Sequence, residues 1–453
     1  MSLEVIILAA GKGSRMRSDM PKVLHLLAGK PLLVHTVAQA QLLEPSHTHI
    51  IVGYRADQVA AVVGPMGAKC VTQKQQLGTG HAVAQAMPRV ADDAVVLVLY
   101  GDVPLVPAAL MQKLTDQAAH GELAILTVTL GDPSGYGRIV RDAQGNIEAI
   151  VEHKDANAQQ LQIKEINTGI LAAKASLLNA WLPRIESNNA QGEIYLTDIV
   201  AIAVADGVAI NYLQPDFPQQ TQGVNDRVQL AQLERWYQLQ QAHQLLRDGV
   251  QLADPARFDL RGELSVGQDV YIDINVIFEG QVSLADGVHI GPNCHIKDCS
   301  IGAGTQVLGN SMIDSAQVAE HCTIGPFARL RPGTVLADQA KVGNFVETKK
   351  TYLGKGSKAN HFTYLGDTTV GEKVNIGAGT ITCNYDGVNK FKTTIGDGAF
   401  IGSNSALVAP VNIGKGATVG AGSTISKDVA DGQLAIARGK QRNIASWPKP
   451  EKI

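Results

Sequence analysis

The sequence predicts an α/β protein made of a sheet domain, a long linking helix and a parallel β-helix of hexapeptide repeats. With 453 residues the chain is long for a single ordinary domain, so two domains are expected. Strand and helix patterns alternate through its first 100 residues. From about residue 272 to residue 425 an aliphatic side chain returns at every sixth position. That period fits neither a helix nor a single strand, but it fits a short strand and a turn repeated in stacked coils.

In the sheet domain, short apolar runs predict strands, at residues 4–9, 49–52, 69–72 and 94–100. Helical patterns lie between them, at residues 31–43, 55–63 and 80–88. This alternation predicts a mostly parallel sheet with helices on both faces. Such sheets bind ligands beyond the carboxyl ends of their strands, so we expect the chemistry to follow Ala9 and Tyr100.

Beyond residue 130 the pattern predicts a hairpin, a strand and a helix, at residues 138–141 with 146–152, 166–174 and 197–206. Apolar residues then recur at helical spacing from Asp226 onward, and no Pro or Gly intervenes before Gly249, so one long helix is predicted to end there. We therefore divide the chain into a first domain, a linking helix and a coil with a C-terminal tail, at residues 1–227, 228–248 and 249–453.

The six-residue repeat is clearest towards its end, where four of six aliphatic residues precede a glycine. These positions are Ile395, Ile401, Leu407, Ile413, Val419 and Ile425. Earlier members are Ile272, Phe278, Leu284, Ile290, Ile296, Ile324, Leu330, Leu336 and Val342. The steps from Ile296 to Ile301 and from Leu365 to Val370 are one residue short, and an insertion at 383–394 breaks the repeat. Loops inserted in a solenoid often carry the binding function.

Composition excludes several classes of function. Charged residues make up 18% of the chain and the formal net charge is −3, so no nucleic-acid partner is expected. No uninterrupted apolar stretch is long enough to predict a membrane span. The five cysteines form no C-x-x-C pair, which is typical of reduced thiols in the cytoplasm.

Two glycines directly after the first strand predict a pocket for phosphates. Gly11 and Gly13 let the backbone approach a ligand, and the cations Lys12, Arg15 and Lys22 lie close by. A dinucleotide fingerprint would need glycine where Met16 stands, and the order Lys-Gly-Ser does not match a Walker A loop. A tight turn with surface cations remains the alternative for the two glycines.

Asp102 ends the most apolar strand of the sheet domain. An aspartate in this position usually caps a helix or forms a turn. Beside a phosphate pocket, its carboxylate is also a natural Mg²⁺ ligand.

Polar residues gather in the coil where a regular repeat has little need for them. Glu347, Lys349, His361 and Tyr364 lie close in sequence. If three hexads make a turn, residues 18 apart stack, which would place His361 above Gly343 and beside Glu347. These residue types predict a histidine base oriented by a carboxylate, next to a lysine that binds an anion. A solvated histidine on a turn is the alternative.

Several motifs give the sequence a resemblance to a known family. The run Gly11-x-Gly13-Ser-Arg-Met with Pro-Lys22 resembles the signature of sugar-nucleotide pyrophosphorylases. Further runs match at 76–81, 100–104, 135–139, 151–155, 167–170, 343–347 and 383–387. Together with the coil, they resemble the bacterial bifunctional N-acetylglucosamine-1-phosphate uridylyltransferases and glucosamine-1-phosphate N-acetyltransferases over essentially the whole chain. The resemblance thins after Arg438.

This resemblance implies a Rossmann-like nucleotidyltransferase domain and a left-handed β-helix. It implies that glucosamine 1-phosphate is acetylated by acetyl-CoA, and that the resulting N-acetylglucosamine 1-phosphate receives UMP from UTP with Mg²⁺, releasing pyrophosphate. The product, UDP-N-acetylglucosamine, would feed peptidoglycan and lipopolysaccharide synthesis. The family also implies a cytoplasmic homotrimer whose acetyl-transfer sites lie between coils.

For the first site, the resemblance implies that Arg15 and Lys22 neutralise the triphosphate and that Asp102 and Asn225 hold Mg²⁺. Asn225 could also be a helix N-cap. Residues implied to bind UTP or UDP-N-acetylglucosamine are Leu8, Ala9, Ala10, Gly11, Lys22, Gln73, Gly78, Thr79, Tyr100, Gly101, Asp102, Gly137, Glu152, Asn167 and Asn225.

For the second site, the resemblance implies that His361 is the general base and that Glu347 orients it. Residues implied to bind glucosamine phosphate are Arg331, Lys349, Tyr364 and Asn375. Residues implied to bind acetyl-CoA are Ala378, Asn384, Tyr385, Ser403, Ala421 and Arg438. Two alternatives remain open: a nucleotidyltransferase whose coil serves only assembly or regulation, and a scaffold without catalysis.

Overall fold

The computed structural model describes residues 2–449 and Lys452. The chain forms two compact units, the first ending at Trp236 and the second beginning at Tyr237. In the described part of the chain, no helix is both long and apolar enough to cross a bilayer.

The first unit is built on a predominantly parallel sheet. Its main strands, in spatial order, are Ile210–Leu213, Leu123–Thr129, Glu165–Lys174, Val95–Tyr100, Leu3–Ala9, His47–Val52 and Lys69–Thr72. Glu165–Lys174 runs against both of its neighbours, while the other pairs along this path are parallel. The predicted hairpin is present as Arg138–Arg141 and Ile147–Val151, and a small separate pair joins Leu26–Leu27 to Lys30–Pro31.

Strand order places a crevice where the sequence analysis expects it. Leu3–Ala9 lies between His47–Val52 on one side and Val95–Tyr100 on the other, so the chain changes direction across the sheet at this point. Leu8 is in register with Tyr100, and both strands therefore end at the same edge. Ligands bind at such switch points in open α/β sheets.

Helices cover both faces of this sheet, which confirms the predicted α/β class. The α-helices of this unit are Leu32–Gln41, Ala56–Val63, Thr79–Ala86, Ala108–Ala119, Ala175–Trp181 and Ile199–Ala205. Short 3₁₀ turns are Ser14–Met16, Lys22–Leu24, Gly64–Met66, Met87–Arg89, Gln160–Gln162, Leu182–Arg184, Leu196–Asp198 and Pro218–Thr221. Along Leu3–Ala9, alternate residues enter two separate apolar clusters, one on each face. Because this strand is buried on both faces, its sequence is a nearly continuous apolar run.

The predicted long helix is present as Arg227–Arg247. It begins after Asp226, whose carboxylate accepts a hydrogen bond from the Gln229 backbone N–H at 2.8 Å. It ends just before Gly249, which adopts a left-handed φ of 96°. The boundary between the two compact units falls inside this helix. The proposed domain limits at residues 227 and 249 remain a prediction.

The second unit is a coil of short parallel strands, and the 3₁₀ turn Pro255–Arg257 lies between its first two strands, Gln251–Leu252 and Phe258–Val266. In the described residues the strands stack into three ladders. The first ladder contains Gln251–Leu252, Tyr271–Ile272, His289–Ile290, Gln306–Val307, Thr323–Ile324, Lys341–Asn344, Lys358–His361, Asn375–Ile376, Phe400–Ile401, Thr418–Val419 and Leu434–Ala435.

Two long strands, Phe258–Val266 and Val276–Leu284, each run through the second and third ladders. The second ladder continues with His295–Lys297, Met312–Asp314, Arg329–Leu330, Glu347–Lys349, Tyr364–Gly366, Ile381–Cys383, Ala406–Val408 and Thr424–Ile425. The third continues with Ser300–Ile301, Gln317–Val318, Val335–Leu336, Tyr352–Leu353, Thr368–Val370, Thr393–Ile395 and Val411–Ile413.

Every aliphatic position of the predicted repeat is buried in one continuous core. Burial of such a side chain contributes roughly 1.5–3 kcal/mol relative to leaving it exposed. Where the repeat lacks an aliphatic residue, a buried threonine takes its place with its hydroxyl bonded. Thr348 shares a hydrogen bond with Thr334 at 3.0 Å, and Thr382 accepts one from the Gly366 N–H at 2.8 Å. The hexapeptide solenoid predicted from periodicity is therefore confirmed.

Candidate active sites

The crevice of the first unit contains a pocket of about 300 Å³ at the edge where Leu3–Ala9 and Val95–Tyr100 end. Its lining includes ten of the residues predicted for the nucleotide. The lining residues are Leu8, Ala9, Ala10, Gly11, Lys22, Val23, Gln73, Gln76, Gly78, Thr79, Ala82, Tyr100, Asp102 and Glu193.

The glycine loop packs closely against Lys22, which lines the pocket. Gly13 has a left-handed φ of 66°, and a Cβ added there would lie 2.5 Å from the Lys22 Cβ. A side chain at this position would therefore displace Lys22. Around Gly11 a Cβ would meet nothing within 4 Å, so the space beside this backbone is open to a ligand.

A second turn, around Gly78, closes the other side of the pocket. Gly78 has a φ of 116°, and a Cβ there would lie 2.4 Å from the Ile194 carbonyl oxygen. The buried Gln73 amide donates to the Gly78 carbonyl at 3.1 Å. Thr79 accepts a hydrogen bond from the Leu196 N–H at 3.0 Å. These contacts fix the turn before any ligand arrives.

Lys22, Asp102 and Asn225 meet at the mouth of this pocket. The Val224 N–H donates to the Asp102 carbonyl at 2.9 Å, which brings the following residue, Asn225, beside Asp102. The Lys22 ammonium donates to the Asp102 carboxylate, and to the Asn225 side-chain oxygen at 3.1 Å. Because Asp226 caps the long helix, the Asn225 side chain is available to face this cluster. A carboxylate and an amide oxygen are donors that suit Mg²⁺.

A cluster of buried polar groups lies beside Tyr100. Burial raises the pKa of the Tyr100 hydroxyl, and the nearby carboxylates of Glu152 and Asp102 raise it further. Burial also raises the pKa of Glu152, although the Thr197 hydroxyl opposes this effect by donating to it at 3.2 Å. The Asn167 N–H donates to the Gly137 carbonyl at 2.9 Å. Gly137, Glu152 and Asn167 are thus held together, and Gly101 donates to the Leu8 carbonyl at 3.0 Å.

Arg15 is exposed on the 3₁₀ turn Ser14–Met16. Its charge acts on Tyr136, whose pKa is raised by burial and by Asp102 and lowered by Arg15. Tyr136 is thus close enough to Asp102 and Arg15 to sense both charges; it is not among the candidates predicted from the sequence, although it lies within a quoted motif, Gly135-Tyr136-Gly137. Glu193 and Thr197 were also missed, and no local sequence pattern marks them.

In the coil, His361 is held by the turn next to it. Asn344 and His361 are register partners in the first ladder, and the His361 Nδ1 lies 2.7 Å from the Asn344 side-chain oxygen. The predicted stacking partner, Gly343, instead lies against Asn360. The spacing of stacked residues is 17 here rather than 18, so the partner shifts by one.

In the described chain Glu347 is bonded to arginine side chains, and its predicted role in orienting His361 stays a prediction. Glu347 accepts a hydrogen bond from Arg331 at 2.7 Å and lies 4.0 Å from Arg329. The reason is the corner at Phe345–Val346, which sends Glu347 into the second ladder, where its register partner is Tyr364. Asn344, not Glu347, is the side chain bonded to the His361 ring.

Lys349, Tyr364 and Asn384 gather around Gly366 and Asp367. The Lys390 ammonium is the main influence that lowers the pKa of Lys349, while Asp367 opposes it. Asn384 donates to the Asp367 carboxylate. The Tyr364 hydroxyl and the Asn384 amide both lie against Gly366. Two cations and two amide or hydroxyl groups are suited to hold a phosphate.

The remaining predicted residues follow the coil towards its C-terminal end. The Asn404 N–H donates to the Ala378 carbonyl at 2.6 Å, and the Gly422 N–H donates to the Ser403 carbonyl at 2.8 Å. The Arg438 guanidinium donates to the Ala421 carbonyl at 2.7 Å. Tyr385 is exposed on the insertion, and Asn375 lies in the first ladder beside Lys358. Their order along the coil suits an elongated ligand.

Three protein-family models match separate parts of the chain. Residues 5–186 match the MobA-like NTP transferase domain, residues 260–353 the GMPPB C-terminal domain, and residues 392–427 the bacterial transferase hexapeptide (six repeats). The first and third fit the sheet unit and the coil described above.

Curated relatives match almost the whole chain, including the part beyond Arg438. The chain is 57% identical over 450 residues to the bifunctional protein GlmU of Marinobacter nauticus, and the match covers 99% of both sequences. It is 60% identical over 448 residues to that of Cellvibrio japonicus, again covering 99% of both. For Pseudomonas entomophila the identity is 56% over 453 residues, covering 100% of this chain and 99% of the relative. Identity above one half across both full lengths places the chain in the family of bifunctional GlmU proteins.

Proposed function

We propose that this chain catalyses two consecutive reactions in the synthesis of UDP-N-acetylglucosamine. The coil acetylates glucosamine 1-phosphate with acetyl-CoA, and the sheet unit then transfers UMP from UTP to the N-acetylated product. The observation that carries this proposal is the presence of two separate polar clusters in one chain, one around Lys22 and Asp102 and one around His361. Because UTP and acetyl-CoA are made in the cytoplasm, we place the enzyme there, supplying peptidoglycan and lipopolysaccharide precursors.

In the sheet unit the sugar phosphate oxygen attacks the α-phosphorus of UTP and pyrophosphate leaves. Such a reaction needs positioning and neutralisation of charge more than covalent help from the protein. We assign neutralisation of the triphosphate charge to Arg15 and Lys22, and binding of the sugar to the group around Tyr100 and Glu152. We assign Mg²⁺ to Asp102 and Asn225; an ion held there would supply positive charge to stabilise the charge that develops on the phosphates. The Lys22 ammonium now donates to both of these oxygens, and with Mg²⁺ held there it would be available to the phosphates.

Asp102→Asn should slow the UTP-dependent release of pyrophosphate by roughly 100-fold or more, because it removes the charged ligand next to the phosphates. Acetylation of glucosamine 1-phosphate should be unchanged in the same protein. The exposed Asp93→Asn serves as the matched control. Wild-type pyrophosphate release by Asp102→Asn would contradict the assignment.

In the coil the amine of glucosamine 1-phosphate attacks the thioester carbonyl of acetyl-CoA. The C–N bond forms and the C–S bond breaks; the amine proton passes to the base, and the base passes it on to the departing sulfur, so that CoA leaves as the thiol. We assign the base to His361 and the orientation of its ring to Asn344. Arg331, Lys349, Tyr364 and Asn375 are assigned to the sugar phosphate. Ala378, Asn384, Tyr385, Ser403, Ala421 and Arg438 are assigned to acetyl-CoA.

His361→Ala should lower the rate of CoA thiol release by roughly 100-fold or more, while pyrophosphate release stays at the wild-type level. Asn344→Ala should lower the rate of CoA thiol release less, because the base remains and only the orientation of its ring is no longer fixed. His321→Ala, an exposed histidine elsewhere in the coil, is the control. If wild-type protein releases no thiol with glucosamine 1-phosphate, the coil is an assembly module and this part of the proposal fails.

The proximity of Lys349 and Lys390 predicts a pH effect on substrate binding. Lys349 binds phosphate only as the ammonium, and its pKa is lowered mainly by Lys390. Affinity for glucosamine 1-phosphate is therefore present below this pKa and lost as pH rises through it. In Lys390→Gln the pKa of Lys349 should rise, so the increase of KM on the alkaline side moves to higher pH. Lys392→Gln, on the same insertion, should leave the profile in place, and an identical shift in both variants would refute the coupling.

We further propose that the chain works as a trimer with its coils in contact. Phe327, Phe345 and Phe362 stack on successive turns with ring centroids 5.2 Å apart. They are 48%, 52% and 63% exposed in the single chain. A continuous exposed apolar strip of this kind is typical of an interface, and it lies next to Asn344 and His361.

Light scattering should give three times the mass of the chain. Phe327→Ser should lower this mass and reduce acetyl transfer while leaving uridylyl transfer intact, because a polar side chain weakens the apolar contact. Phe217 is an equally exposed phenylalanine of the first unit, and Phe217→Ser should change neither the mass nor the rate of acetyl transfer. A wild-type protein that is monomeric and fully active would overturn the proposal.

A further inference from the structure

A cluster of three residues of metal-binding type, one glutamate and two histidines, lies at the end of the sheet opposite the pocket of the first unit. Glu4 is in the strand Leu3–Ala9, and His47 and His49 are in the neighbouring strand His47–Val52. Glu4 and His47 are register partners, so their side chains emerge on the same face. His49 lies two residues further and shares that face, since side chains alternate along a strand.

The three side chains already meet. The two oxygens of Glu4 lie 3.0 Å from the His47 Nδ1 and 2.9 Å from the His49 Nε2. One ligand atom from each residue can be chosen so that all three lie within 4.8 Å of one another. In a tetrahedral zinc site with bonds of about 2.0–2.1 Å, ligand atoms are roughly 3.3 Å apart. Small side-chain movements would therefore suffice to surround an ion.

The charge balance favours a cation. Glu4 is 3% exposed and His49 is 1% exposed, so an ionised carboxylate here is removed from water. Lys69 is an exposed side chain on the next strand, so its repulsion of an ion is screened by solvent.

The proton that a metal ion would displace from His49 can also be accommodated. Hydrogen bonding to Glu4 places a proton on the His49 Nε2, the atom that would bind a metal. The His49 Nδ1 is buried and has no hydrogen-bond partner in the described residues. It is therefore free to take that proton without losing another contact. The half-exposed His47, with 43% of its side chain accessible, gives an ion and a water ligand a way in.

We propose that Glu4, His47 and His49 form a site for a divalent transition-metal ion such as Zn²⁺. Two imidazole nitrogens and one carboxylate oxygen suit this class of ion, whereas Mg²⁺ prefers a shell of oxygens. The site lies roughly 16 Å along the strand from Ala9, at about 3.3 Å per residue. It is thus independent of the proposed Mg²⁺ position and would fasten the amino ends of two central strands.

Cobalt titration of the full chain tests this site, because Co²⁺ in a four-coordinate nitrogen and oxygen site absorbs visible light. The titration is done with excess Mg²⁺ and in an Asp102→Asn background, so that the oxygen-rich cluster does not contribute. We expect one saturable equivalent per chain, displaced by Zn²⁺. His47→Ala and Glu4→Gln should each weaken binding by roughly tenfold or more, while the exposed His120→Ala should not.

His47→Gln guards against misfolding, since this half-exposed residue can lose its metal-binding nitrogen with little disturbance to packing. It should lose the cobalt band while retaining acetyl transfer at the wild-type rate. Absence of a saturable band in wild-type protein, or a band that persists in both His47→Gln and Glu4→Gln, would show that the two imidazoles only hydrogen-bond the carboxylate.

Discussion

Hydrogen bonding between stacked turns is the constraint on which the second unit depends. Strands of two or three residues cannot satisfy their backbone groups alone, so each turn takes its partners from the turns on either side. The inward aliphatic side chains then stack in the same register, as Ile272 does on Ile290. The same stacking gives each outward side chain a fixed neighbour on the adjacent turn. Asn344 and His361 face each other because the backbone places them there, before any catalytic requirement is considered.

A parallel sheet imposes a comparable order on the first unit, because all of its central strands present their ends at the same two edges. At the carboxyl edge, Asp102 and Asn225 offer oxygen atoms and Lys22 lies between them. At the amino edge, the strand Leu3–Ala9 presents Glu4 to two imidazoles. Two polar clusters with different donor atoms thus lie at opposite ends of the central strands, and the apolar residues of these strands keep the clusters apart.

Periodicity predicts those parts of the fold in which side-chain pattern decides the structure. The six-residue repeat identifies the buried core from Ile272 to Ile425, and the apolar runs identify the central strands. The helix Ala108–Ala119 and the strand Leu123–Thr129 were not predicted. The short strand Ile210–Leu213 is half-buried and lacks a strong pattern.

The sites were predicted less completely because they depend on exact register and on distant contacts. A repeat of three equal hexads places Gly343 opposite His361, but the five-residue step from Thr348 to Leu353 shortens the turn and makes Asn344 the partner. The position of Asn225 beside Asp102 depends on one backbone hydrogen bond between residues far apart in the chain. Neither fact can be deduced from local composition, and the family motifs supplied the residues without their contacts.

From Ile272 onward, the unequal steps of the described coil all occur at one corner. From the second ladder to the third, the inward position advances by five residues from Ile296 to Ile301, by six from Leu330 to Leu336, and by thirteen from Thr382 to Ile395. At the other two corners the advance stays at six, as from Ile376 to Thr382 and from Ile395 to Ile401. This corner is therefore a joint at which segments can be lengthened or exchanged without disturbing the core. Evolution, or a protein engineer, could graft new loops there and change what the coil recognises while its scaffold stays the same.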